Sequence, residues 1–181
     1  MSSVRQKVAL QFIVSNLALV ANFVLTIVLA RLLSPQDIGI FSMSAVLMAV
    51  AHVFRDFGVT SFIKREKELT PDSLSSALGV LLITSWSVAA LMFLSAPYWA
   101  HFFHEARVVP VVQVLALGFV FIPFGAIPMA IISREMDVKK SATIGAVATV
   151  VYFGASVGLA LAGFGPMTMA WANLINIIVT G

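Results

Sequence analysis

His52, Arg55 and Asp56 stand three and four residues apart inside a stretch that is otherwise apolar, so on a helix their side chains occupy adjoining faces. A guanidinium in such a place can grip a phosphate through two parallel hydrogen bonds. Two readings of the cluster stand side by side. In one, Arg55 faces a solvated cavity with His52 beside it. In the other, Arg55 reaches the nearer interface along its own aliphatic stem, and Asp56 caps a local break at Phe57-Gly58. Polar side chains recur at helical spacing elsewhere. Gln11, Ser15, Asn22 and Thr26 are separated by four, seven and four residues and share a face within about 60°. Asn173, Asn176 and Thr180 repeat at i, i+3 and i+7. These two stripes fit either the lining of a wet cavity or hydrogen bonds between packed helices. The smaller hydroxyls of Ser73, Thr84, Ser87 and Ser95 fit helix packing.

Other chemistries find no residues to carry them. There is no glycine-rich phosphate loop, no His/Glu metal spacing, no nucleophile elbow and no pair of acids on one face, so no enzyme and no cofactor are expected. His101 and His104 lie at i, i+3 without a third ligand nearby, which describes a rim of exposed histidines and not a metal site. The chain has no cysteine, which excludes disulfides, thiolate metal sites and cysteine nucleophiles.

The elements that must position these residues are long apolar runs: 8–30, 38–54, 73–104, 108–133 and 141–181, with short charged connectors between them. Of the 181 residues, 60% are hydrophobic and only 10% charged, and the mean hydropathy is +1.03. A soluble domain carries about 25% charged residues, and a crossing of the bilayer core needs about 20 apolar ones. The pattern describes an all-α, polytopic transmembrane helix bundle with five complete helices and a partial sixth, its first partner being the lipid bilayer. A charge near the centre of such a helix costs about 2.5–3.5 kcal/mol, and less toward the end, where Arg55 lies.

Connector charge sets the expected orientation. Arg5, Lys7, Lys64, Arg65, Lys67, Arg134, Lys139 and Lys140 fall on one side and Arg31 and Arg107 on the other, with Arg55 inside a stretch completing the 11 basic residues. Basic residues gather on the cytoplasmic side, so the N-terminus is expected there. Because these cations are divided among loops, the pI of 9.6 reflects topology and not nucleic-acid binding. The first run, at 23 residues, is too long for the core of a signal peptide and reads as a retained helix. Arg31, at its far end, fits an interfacial anchor.

Punctuation residues bound the helices. The first spans about 7–33; Ser34 caps the second, Pro35 opens it and Asp37 complements its dipole, and it continues to about Ile63. Thr70 caps the third, which starts at Pro71 and ends near Trp99, with Tyr98 and Trp99 as interfacial aromatics. The fourth covers about 109–133 and carries Pro123 and Pro128 around Gly125, a pattern that removes two backbone donors and kinks the helix. The fifth covers about 141–162. Gly163-Phe164-Gly165-Pro166 breaks the last run, and the sixth helix starts near Met167. Its 15 residues fall short of a crossing, so residues 1–181 are expected to be the N-terminal lobe of a longer protein.

Several segments, in order, carry a family resemblance: 30–39 (Ala-Arg-Leu-Leu-Ser-Pro-Gln-Asp-Ile-Gly), Asp56-Phe57-Gly58, Ile63-Lys64-Arg65, Leu69-Thr70-Pro71 with Leu74, Ala96-Pro97, Leu115-Ala116-Leu117, Arg134 to Lys140, and Gly163-Phe164-Gly165. Together they resemble bacterial oligosaccharide flippases of the polysaccharide transporter family, within the multidrug/oligosaccharidyl-lipid/polysaccharide exporter superfamily. The resemblance implies two pseudo-symmetric lobes around a central cavity, of which this chain would be one. It implies movement of polyprenyl-pyrophosphate-linked oligosaccharide across the bacterial cytoplasmic (inner) membrane by alternating access, alongside other polysaccharide-assembly membrane proteins. Arg55 would engage the pyrophosphate, and His52 and Asn22 would line the cavity. Two alternatives stand beside it: a cation-coupled multidrug exporter of the same fold, for which Asp56 is the one acid within an apolar stretch, and a truncated, non-transporting membrane subunit.

Overall fold

The computed structural model describes residues 2–56, 71–135 and 137–180. Every regular element among them is an α-helix: α1 (Ser2–Leu32), α2 (Pro35–Asp56), α3 (Pro71–Phe103), α4 (Val108–Arg134), α5 (Val138–Leu161) and α6 (Met167–Thr180). The first five hold apolar spans long enough to cross a bilayer, and α6, with 14 residues, is shorter. The all-α bundle expected from hydropathy is the one observed.

Local chemistry explains most of the helix ends. At the α1–α2 turn, the Asp37 N–H donates to Ser34 Oγ at 3.1 Å. In return, Asp37 Oδ2 accepts from the Ser34 N–H at 3.3 Å and its hydroxyl at 2.7 Å. This reciprocal capping satisfies donors that a helix start leaves open, and Pro35 sits where its missing N–H is not needed. Three boundaries differ from expectation, the first being the start of α1 at Ser2, five residues before Lys7. α3 runs a turn past Trp99, whose ring stacks on Phe103 at 6.3 Å, and the chain leaves the helix only at His104, with a left-handed φ of 53°. α5 starts three residues before Ser141, because the Asp137 carboxylate accepts from the Lys140 N–H at 3.2 Å and caps it. The α5–α6 break is as expected: Gly163 (φ 79°) and Gly165 (φ 53°) take backbone conformations that favour glycine. The expected end of α2 at Ile63 and the Thr70 cap lie outside the described residues.

α4 is the axis of the bundle. Val108, Val111, Val112, Leu115, Ala116 and Phe119 are almost wholly buried along one face, and buried Val114 and Gly118 widen that face to about 200° of the helix. The helix accordingly packs against α3, α6 and α2 on different sides. Its approach to α6 is close, since a Cβ on Gly118 would lie 2.9 Å from Ile177 Cδ1. Leu25 and Leu29 of α1, with Leu33 of the connector that follows it, form a single seam with Ala160 of α5 and Met169 of α6. In lipid such seams hold through packing and not through expulsion of water.

The succession of antiparallel helices gives the bundle two different ends. The connectors 33–34, 104–107 and 162–166 share one, termed here the turn end. The 135–137 connector shares the other with the C-termini of α2, α4 and α6. This second, basic end carries Arg134, Lys139 and Lys140.

Candidate functional site

A cavity of about 450 Å³ opens at the basic end between α2, α4, α5 and α6. α4 supplies one wall through Phe121, Ile122, Gly125, Ala126, Met129, Ala130 and Ser133, a repeat of three and four residues that keeps one face inward. Ile144, Gly145 and Ala148 of α5 face it, Ile177 and Thr180 of α6 close one side, and Arg55 of α2 enters from another. Small residues create the space: two glycines and three alanines stand where larger side chains would fill it, and a Cβ on Gly145 would meet nothing within 4 Å. Arg55 is the one charged residue among the described lining residues. The remaining lining is apolar apart from the hydroxyls of Ser133 and Thr180. One fixed cation, two hydroxyls and hydrocarbon walls suit an anionic group attached to an apolar chain.

The structure distributes the sequence-derived candidates unevenly. Arg55 and Gly125 both line the cavity. His52 does not; its ring lies against that of Phe119 at 4.8 Å and fastens α2 to α4 one turn before Arg55. Asn22 is exposed on α1, and its amide donates to the Ala18 carbonyl at 2.8 Å, while Thr26 donates to Asn22 O at 2.9 Å. Neither Asn22 nor Thr26 lines this cavity. Asn173 and Asn176 are half-buried on α6; Asn176 O accepts from Thr180 Oγ1 at 2.7 Å and so orients a lining residue. Asn176 Oδ1 is buried with no hydrogen bond among the described residues. α4 is continuous through both prolines, with Pro123 buried and Pro128 exposed. The Gln11 and Asp56 side chains lie outside the described ones. Among the described residues, Thr84 and Ser95 donate to carbonyls of their own helix, at Val80 and Met92, where helix packing suggested partners on neighbouring helices. Phe119, Gly145 and Ala148 carried no sequence signal, because a buried aromatic and two small residues look alike at every other place in such a chain.

The turn end is closed by charge. Arg107 Nη1 lies 3.6 Å from Asp37 Oδ1, and Arg107 holds Glu105 through Nε at 3.0 Å and Nη2 at 3.3 Å. Hydrogen bonds from the Arg107 side chain, and then from its backbone N–H, keep the Glu105 carboxyl below its ordinary value of 4.5. Ionised Glu105 therefore favours the folded form above about pH 4.5, and that contribution is lost as pH falls through the lower folded value. Thermal unfolding in detergent between about pH 6 and pH 3 should show a stability loss on acidification that is smaller in Glu105→Gln. An unchanged pH slope in that variant would remove Glu105 from the clasp.

Comparison with known proteins adds a relationship to this geometry. A family profile described as "Polysaccharide biosynthesis protein" matches residues 28–181. The chain is 27% identical over 142 residues to the "Lipopolysaccharide biosynthesis protein WzxC" of Escherichia coli (strain K12), an alignment covering 78% of this chain and 28% of that protein. It is 26% identical to an "Uncharacterized membrane protein in cps region" of Klebsiella pneumoniae, covering 66% of this chain and 24% of the relative. The aligned region is thus about a quarter of the length of these curated relatives. No solved structure gives a significant match.

Proposed function

Since the chain belongs to the polysaccharide biosynthesis protein family, we propose that it forms the N-terminal lobe of a flippase for polyprenyl-pyrophosphate-linked oligosaccharide in the bacterial cytoplasmic membrane. The basic end faces the cytoplasm, where the excess of lysine and arginine belongs. Arg55 carries the proposal, as the single charged residue among the described lining of a largely apolar cavity at that end. Its guanidinium holds the pyrophosphate bidentately, Ser133 and Thr180 add hydroxyl contacts, and the apolar walls take the first carbons of the polyprenyl chain. The sugars remain toward the water at the mouth. Release on the opposite side follows alternating access, for which the rest of the transporter supplies the second lobe.

A strain lacking its own oligosaccharide flippase tests this. The complete gene carrying this region should restore surface polysaccharide and clear the accumulated lipid-linked intermediate. Unrestored polysaccharide together with a changed drug-resistance profile would favour a small-molecule exporter in its place. Restoration by the 181-residue chain alone would contradict the need for a second lobe.

A further inference from the structure

We propose that Asp37 and Arg107 form a bolt across the turn end that sets the width of the cavity at the opposite end of the bundle. The helices that meet at the bolt are the ones whose far ends wall the cavity. Asp37 lies in the first turn of α2, Arg107 immediately precedes α4, and Gly165 comes two residues before α6. Arg107 Nη1 is 3.6 Å from Asp37 Oδ1, and a Cβ on Gly165 would lie 3.6 Å from that same oxygen. All three turn-end connectors therefore converge on one carboxylate.

The carboxylate is fixed before the guanidinium reaches it. Ser34 holds Asp37 Oδ2 through its backbone N–H and its hydroxyl, which leaves Oδ1 for Arg107. Glu105 holds the other side of the guanidinium through Nε and Nη2. The Asp37 side chain is 17% exposed and that of Arg107 45%, so the carboxylate half of the pair is shielded from salt while the guanidinium half meets solvent.

At the basic end the same three helices contribute Arg55, Ser133 and Thr180 to the cavity. Eighteen residues separate Asp37 from Arg55, about 27 Å of helix, over which a tilt of about 3° moves the far end by about 1.4 Å. Releasing the bolt lets α2, α4 and α6 splay, and the cavity mouth moves with them. This holds whatever the cavity carries, so it can fail or succeed independently of the flippase reading.

The absence of cysteine from residues 1–181 means that, within this region, spin labels sit only where they are introduced; any cysteine elsewhere in the complete protein is replaced by serine. Labels at Val53 and Val179, both exposed near the basic ends of α2 and α6, report the mouth by double electron–electron resonance in lipid nanodiscs. Labels at Leu19 and Val150, exposed on α1 and α5, serve as the control pair. Asp37→Asn keeps an acceptor for the Ser34 cap but loses the charge; Arg107→Gln loses the other partner from an exposed connector and should leave helicity intact. Each should move the mean Val53–Val179 distance by about 1.5 Å or more, leaving the control pair unchanged. The double variant should move it no further than either single change, and Arg107→Lys should return most of the shift. A wild-type distance in Arg107→Gln overturns the proposal. So does a double-variant shift equal to the sum of the two singles, or a shift in Arg107→Lys as large as in Arg107→Gln.

Discussion

Replacing Arg55 with alanine is expected to weaken substrate holding by about 10–100-fold, because a hydrogen bond to a charged group is worth about 1.5–3 kcal/mol net and about 1.4 kcal/mol is a factor of ten. Surface polysaccharide in the complemented strain should fall accordingly, while the protein remains in the membrane at its normal level. Arg55 lies at the end of α2, where removing a charge relieves part of an insertion cost and does not empty a packed core. Arg55→Lys should recover part of the activity: it keeps the charge but loses the planar fork that matches two phosphate oxygens. Polysaccharide production by Arg55→Ala equal to wild type would take Arg55 out of the mechanism.

The largest structural effect is expected from Phe119→Ala. Phe119 is fully buried in the middle of α4, and its ring lies against His52. In a water-soluble core the change costs about 3–5 kcal/mol. In a membrane the expelled-water part of that figure falls away, because the separated helices remain in lipid, and about 1–3 kcal/mol of lost packing is left. Steric-trap or denaturant unfolding in bicelles should show that loss. The damage should also spread to Arg55, one turn beyond His52, so that substrate binding drops although no lining residue has changed. A Phe119→Ala variant as stable as wild type would show that α2 and α4 are held together elsewhere.

Features governed by neighbouring residues were legible in the sequence. Hydropathy gave the five long spans, Ser34-Pro35-Gln36-Asp37 dictated a turn with its own capping, and Gly163 and Gly165 marked a break that needs left-handed backbone. The capping Asp37 could be read locally, but its pairing with Arg107 could not, because 70 positions separate them and exposed charges find partners only through the fold. The candidate site divides the same way. A charge in an apolar stretch marks Arg55 for a cavity or for the nearer interface, and hydropathy alone does not choose between them; packing places it among the residues lining the cavity at the basic end. Asn22 drew notice by the same reasoning, yet its amide is satisfied by the Ala18 carbonyl on an exposed face. Periodicity shows which residues share a face and not which neighbour that face meets. The cavity itself depends on missing bulk at Gly125, Ala126, Ala130, Gly145 and Ala148, and only the packing of α4 against α5 brings those positions together.

Photocrosslinking from inside the cavity tests the central claim most directly. A photoreactive amino acid replaces Met129, which lines the cavity, or, as a control, Leu94, which lies exposed on α3. In membranes of cells that accumulate lipid-linked oligosaccharide, the Met129 probe should capture a polyprenyl-linked glycan, and Arg55→Ala should abolish that adduct. Equal capture from Leu94, an adduct indifferent to Arg55, or no glycan-bearing adduct from Met129 would mean that this cavity does not hold the substrate.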